Sequence, residues 1–183
     1  MLLLLLTCAV FSQKMVTRSG EIKFDATVSG ALEEVIGTNK TVSGVFDKAT
    51  GDIVVQAMVK SFKFKAPLME EHFNENYMES DRYPKAVFKG KIEKFDLKDI
   101  NEVEKEYQIK GKLNLRGKSK EIIVNALIKR VPEGIQVISD FPITVSDFNI
   151  KIPSKIASKI SQTANTELTG IIHDEEGMYA TLK

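Results

Sequence analysis

The chain has no tryptophan, a single cysteine at Cys8, and only two histidines among its 183 residues. One cysteine cannot form an intrachain disulfide, so the fold rests on core burial and hydrogen bonding. Two histidines and one cysteine leave little material for nucleophilic catalysis. No Gly-x-Ser-x-Gly elbow accompanies His72 or His173, and no glycine-rich phosphate loop is present. Charge of one sign is also missing: 26 basic and 25 acidic residues give a net charge of +1. That balance argues against a nucleic-acid partner, whose domains concentrate positive charge, and offers no electrostatic pull toward an anionic membrane. The chain lacks any apolar run of the roughly 20 residues that a membrane-spanning helix requires, so no transmembrane segment is expected.

The longest apolar stretch, Met1 to Phe11, is uncharged and has the length of a signal-peptide core. Val10 and Ser12 fit the small-residue pattern before a cleavage point. The expectation is therefore a signal peptide over residues 1–12, a mature chain beginning near Gln13, and a periplasmic or secreted protein. Residues 13–183 contain no linker, repeat or low-complexity tract, and their length suits one domain.

What fills the mature chain is alternation of period two, the mark of strands with one buried face. Tyr107, Ile109, Gly111, Leu113 and Leu115 alternate with Gln108, Lys110, Lys112 and Asn114. Similar runs start at Ile22, Ile53, Ala86, Ile122, Ile135 and Thr166. Gly51, Gly117 and Gly134 punctuate them at hairpin spacing, which makes neighbours antiparallel. Long amphipathic helices between strands are missing, so a parallel sheet is not expected. The fold class is all-β: a closed antiparallel barrel of about eight strands, which buries one face of each strand and leaves no free edge.

Two segments break the period. After Pro67, Met69, Phe73 and Tyr77 recur four apart among glutamates. After Pro153, Ile156 and Ile160 do the same. Both are expected to be short helical or irregular inserts at the barrel mouth.

The inward row is rich in small residues. Gly90, Gly111 and Gly170 stand where the alternation calls for an apolar side chain, and Ala26, Ala57, Ala86 and Ala126 are small as well. Glycine inside a strand marks a bend or a close approach. This many small inward residues predicts an apolar tunnel suited to a chain-like ligand. Phe24, Phe88, Gly90, Gly111, Leu113, Leu115, Val124, Val137 and Leu168 are the expected lining, with Met69, Phe73 and Tyr77 at the mouth. The same row would fill a solid core in a structural or stress-related interaction protein without a small ligand, and periodicity does not separate the two.

His72 lies among Glu70, Glu71 and Glu75, but two ligands at usable spacing are too few for a metal site, and none is expected. Neither a cofactor nor a catalytic residue is expected. Lys60 to Lys65 interleaves two phenylalanines with lysines, a pattern that can stack bases; here the rings are expected inside and the lysines in water. Asn39-Lys40-Thr41 fits a glycosylation sequon, relevant only in a eukaryotic secretory pathway. Nothing fixes the oligomeric state, and a homodimer is left open.

Asp81-Arg82-Tyr83-Pro84-Lys85-Ala86-Val87-Phe88, preceded by Leu68-Met69-Glu70-Glu71-His72-Phe73, resembles a signature of the YceI-like family. Gly111 to Lys120 resembles its second signature and Ser146-Asp147-Phe148-Asn149-Ile150 its closing one, in the same order and covering about Ser19 to Leu168. Asn114 stands where that family has Thr, and Asn149 where it has Gly. The early strand lacks the family's usual histidine. The resemblance implies a periplasmic, lipocalin-like barrel holding an isoprenoid or other long-chain lipid.

Overall fold

A computed structural model describes residues 14–174; the expected signal peptide and Cys8 lie outside them. Eight strands form a closed barrel in chain order: β1 (Lys14–Thr27), β2 (Ile36–Asp47), β3 (Asp52–Met58), β4 (Lys85–Ile92), β5 (Lys105–Leu115), β6 (Lys118–Val131), β7 (Gly134–Thr144) and β8 (Ile160–Asp174). Each pairs antiparallel with its neighbour, and β8 closes on β1 through pairs such as Ile22 with Leu168. The barrel therefore leaves no outer strand unpartnered along its whole length.

Local chemistry sets the connections. The β5–β6 hairpin turns on Arg116 and Gly117, both at positive φ (47° and 71°). This mirror-image turn matches the strand twist, and glycine adopts it without a Cβ penalty. Tyr107 to Leu115 then pairs residue by residue with Ala126 to Lys118.

Because the strands run up and down, their connections alternate between two ends. One end carries the short β2–β3 and β6–β7 turns and the β4–β5 connection. There Met15, Phe46, Ile92, Ile100, Tyr107, Ile128, Ile135 and Ile172 are buried together, with Phe95 packed edge-on to Phe46 at 5.4 Å. That end is plugged. The other end carries the β1–β2 loop, the long 59–84 insert, the β5–β6 turn and the 145–159 insert.

The first insert begins as helix α1 (Pro67–His72), with Pro67 in the first turn, where its missing N–H costs nothing. It continues as one π-helical turn over Phe73–Tyr77, closed by Met78 N–H donating to the Phe73 carbonyl at 2.9 Å. The wide turn shifts the stripe. Met69, Phe73 and Tyr77 are half-buried, and Met78 takes the deep position that the spacing of four assigned to no residue. The second insert holds two 3-10 turns, at Val145–Phe148 and Ser154–Ile156, and Ile160 opens β8 rather than extending a helix. The Lys60–Lys65 stretch is not a strand: a 3-10 turn at Val59–Ser61 leads to one bridge, Lys63 to Thr38.

Candidate ligand-binding site

The half of the barrel above the plug encloses a cavity of about 840 Å³ that opens at the end carrying the two inserts. Binding pockets for small molecules run from about 300 to 1,000 Å³. Phe24, Phe88, Leu113, Leu115, Val124, Val137 and Leu168 line it, as do Met69, Phe73 and Tyr77 of the insert. The four alanines Ala26, Ala57, Ala86 and Ala126 also face it, so the small inward residues do correspond to open space.

Gly90 and Gly111 do not: they pair across β4 and β5 and are absent from the cavity wall. A Cβ on Gly111 would stand 2.5 Å from the Lys89 carbonyl oxygen and 2.6 Å from the Phe88 ring; on Gly90 it would stand 2.7 Å from that ring. These two positions are bare because strand backbones and the Phe88 ring press on them, a glycine shielded by an aromatic side chain. The lining expected at Gly90 and Gly111 is supplied by Phe88.

Polar groups are sparse. Ser139 and Thr166 are buried polar side chains on the inner strand wall, and both bond to backbone: Ser139 Oγ donates to the Asn125 carbonyl at 2.7 Å, Thr166 Oγ1 to the Ala164 carbonyl at 3.3 Å. Glu33, His72, Ser158, Lys159 and Ser161 sit toward the mouth. Burial raises the phenol pKa of Tyr77 above its ordinary value, as expected where a neutral form is favoured in an apolar site.

An aromatic cluster lies under the insert. Phe73 stacks on Phe24 at 5.6 Å and contacts Phe62 at 5.7 Å and Phe64 at 5.0 Å. Phe62 and Phe64 face the cavity while Lys60 and Lys63 are exposed and paired with Asp81 and Glu70. Phe62 and Phe64 stand outside the expected lining, because a stretch without a strand ladder gives no register. Ile22, Val55, Ile109 and Ile122, all on inward faces of the alternating strands, also line the cavity.

A polar clasp holds the inserts to the β5–β6 turn. The Arg116 guanidinium pairs with Glu79 and donates to the Asn149 carbonyl at 2.5 Å. Asn149 adopts φ of 58°, the left-handed conformation that asparagine tolerates best after glycine. Lys120 pairs with Asp147 beside it. His72 is exposed, and His173 Nδ1 meets the Glu133 carbonyl at 2.6 Å. Among the described residues, no group of three or more His, Cys, Asp or Glu side chains is placed to hold a metal, and no helix is long and apolar enough to cross a membrane.

Comparison with known proteins agrees with this geometry. A polyisoprenoid-binding domain from Saccharophagus degradans, implicated in plant cell wall breakdown, superposes with a TM-score of 0.74 at 15% identity, covering 88% of this chain and 98% of that one. BcnA of Burkholderia cenocepacia gives 0.66 at 18% identity, covering 82% and 94%. The YceI protein of Campylobacter jejuni gives 0.57 at 23% identity, covering 76% and 86%. At these identities the likeness is one of fold. No curated protein sequence matches the chain. The model of the YceI-like domain matches residues 14–169, nearly all of the barrel, and the chain belongs to the YceI-like family.

Proposed function

We propose that this protein binds and carries an amphiphilic isoprenoid or other long-chain lipid in its barrel, outside the cytoplasm, and that it is not an enzyme. The observation that carries the reading is the cavity of about 840 Å³, walled mainly by apolar side chains and bordered by the two inserts. Each methylene moved from water into such a wall is worth about 0.8 kcal/mol, so a long chain gains where a polar metabolite loses. The S. degradans neighbour is a polyisoprenoid-binding domain, which supports the same ligand class. The packed-core alternative matches the plugged half of the barrel, and the cavity above it supports the carrier reading.

Phe24, Phe88, Leu113, Leu115, Val124, Val137 and Leu168 would contact the chain, and Met69, Phe73 and Tyr77 would cover its outer end. Titration of delipidated protein with a fluorescent long-chain polyene tests this. Saturable binding at one site per chain is expected. Emission no different from that with an equally hydrophobic packed protein would remove the reading.

A further inference from the structure

We propose that the mouth of the barrel docks on a zwitterionic lipid bilayer through Leu32 and Leu68, an inference that rests on the carrier reading above. Leu32 sits in the β1–β2 loop with its side chain wholly in solvent; Leu68, in the first turn of α1, is 60% exposed. Both border the cavity opening. The other large apolar side chains exposed among the described residues, such as Val45, Ile123, Leu127 and Val103, lie on the outer wall or the plugged end and touch no part of the cavity.

An exposed leucine on its own needs no explanation. Two on separate segments, the β1–β2 loop and helix α1, both on the rim of an apolar cavity, make a path. A chain leaving a bilayer there passes from acyl interior to leucine rim to cavity wall, with less apolar surface meeting water.

The charges around the rim set the kind of surface. In the β1–β2 loop and the two inserts, Lys65, Lys151, Lys155 and Lys159 are exposed cations, and Glu33, Glu34, Glu71 and Glu75 are exposed carboxylates. None of these eight has an ion-pair partner among the described residues, whereas Lys60, Lys63 and Arg116 of the same end are held by Asp81, Glu70 and Glu79. Free groups of both signs complement a headgroup layer that carries both signs. They give no net attraction to an anionic one.

The test uses the full chain, sucrose-loaded phosphatidylcholine vesicles and a fluorescent long-chain lipid. The wild type should sediment with the vesicles and take lipid from them, and adding phosphatidylglycerol should change either by less than about twofold, since no net basic patch is involved. In Leu32→Ser/Leu68→Ser, transfer from vesicles should fall about tenfold relative to uptake of the same lipid from cyclodextrin, because insertion of the rim is lost while the cavity remains. Val103→Ser, at the plugged end, should transfer as the wild type does. Docking is overturned if the double variant keeps the wild-type ratio, or if sedimentation requires phosphatidylglycerol. If the wild type takes up no lipid even from cyclodextrin, the carrier reading falls and docking falls with it; if uptake is normal and only the ratio is unmoved, docking alone falls.

Discussion

Asn39 is fully buried in β2, where an apolar side chain would be expected. Its amide donates to the Met58 carbonyl at 3.0 Å and accepts from the N–H and hydroxyl of Thr41 at 2.9 and 3.0 Å. The Asn-x-Thr spacing that reads as a glycosylation sequon is thus a structural bond set. Asn39→Ala would strand the Met58 carbonyl and the Thr41 N–H, and should cost about 2–3 kcal/mol in urea denaturation. Gly111 behaves in the opposite way to a cavity wall. Gly111→Ala drives a Cβ into the Lys89 carbonyl and should destabilise by about 1–3 kcal/mol, the usual range for overpacking. A tunnel-blocking variant at this position would fail by unfolding. Val124→Phe adds bulk at the cavity wall instead, and should abolish lipid uptake while costing less than the overpacking range of about 1–3 kcal/mol, because the ring has open space to enter. Tyr107 carries a buried hydroxyl with no hydrogen-bond partner among the described residues, and burial raises its pKa. The folded chain then holds that proton more tightly than the unfolded chain does. The stability so linked is present below about pH 10 and is lost as pH rises through the folded value. Tyr107→Phe should lessen the alkaline fall in melting temperature and leave stability at neutral pH equal or higher.

At the scale of elements, seven of the eight strands announce themselves by alternation, and the β5–β6 hairpin also by its Gly117 turn. The exception is β2. Its inward row is Gly37, Asn39, Val42, Gly44 and Phe46, interrupted by a bulge near Lys40. Gly37 leaves room for the rings of Phe24 and Phe64, which a Cβ there would meet at 2.5 and 2.9 Å. A strand that supplies space and hydrogen bonds in place of hydrophobic surface does not show in a hydropathy pattern. The 67–80 insert was legible as a helix over the mouth, but its π-helical turn was not, since one added residue per turn changes which side chain reaches inward without altering composition. Phe73 joins the insert to Phe24, Phe62 and Phe64. Full burial would put Phe73→Ala at about 3–5 kcal/mol; its half-exposed ring should bring that to about 2–3 kcal/mol in equilibrium denaturation. A change under 0.5 kcal/mol, typical of surface sites, would mean that the insert does not pack on the barrel.

At the scale of the molecule, the barrel is divided across its axis into a plugged half and a hollow half. Both are written in the same inward alternation, so the sequence carried the barrel and the list of inward residues but not the division. Depth along the axis decides it. Below, Phe46, Phe95 and a set of isoleucines meet across the barrel; above, the alanines hold the wall back and the inserts replace a second plug. A long apolar chain held in the upper half in the cell should be seen by native mass spectrometry of the protein purified without detergent from its own cells. The expected spectrum contains a species heavier than the polypeptide by the mass of one lipid, released on collisional activation and extractable into organic solvent. A spectrum showing only the bare polypeptide, from protein that also takes up no lipid after delipidation, would contradict lipid binding by the upper half.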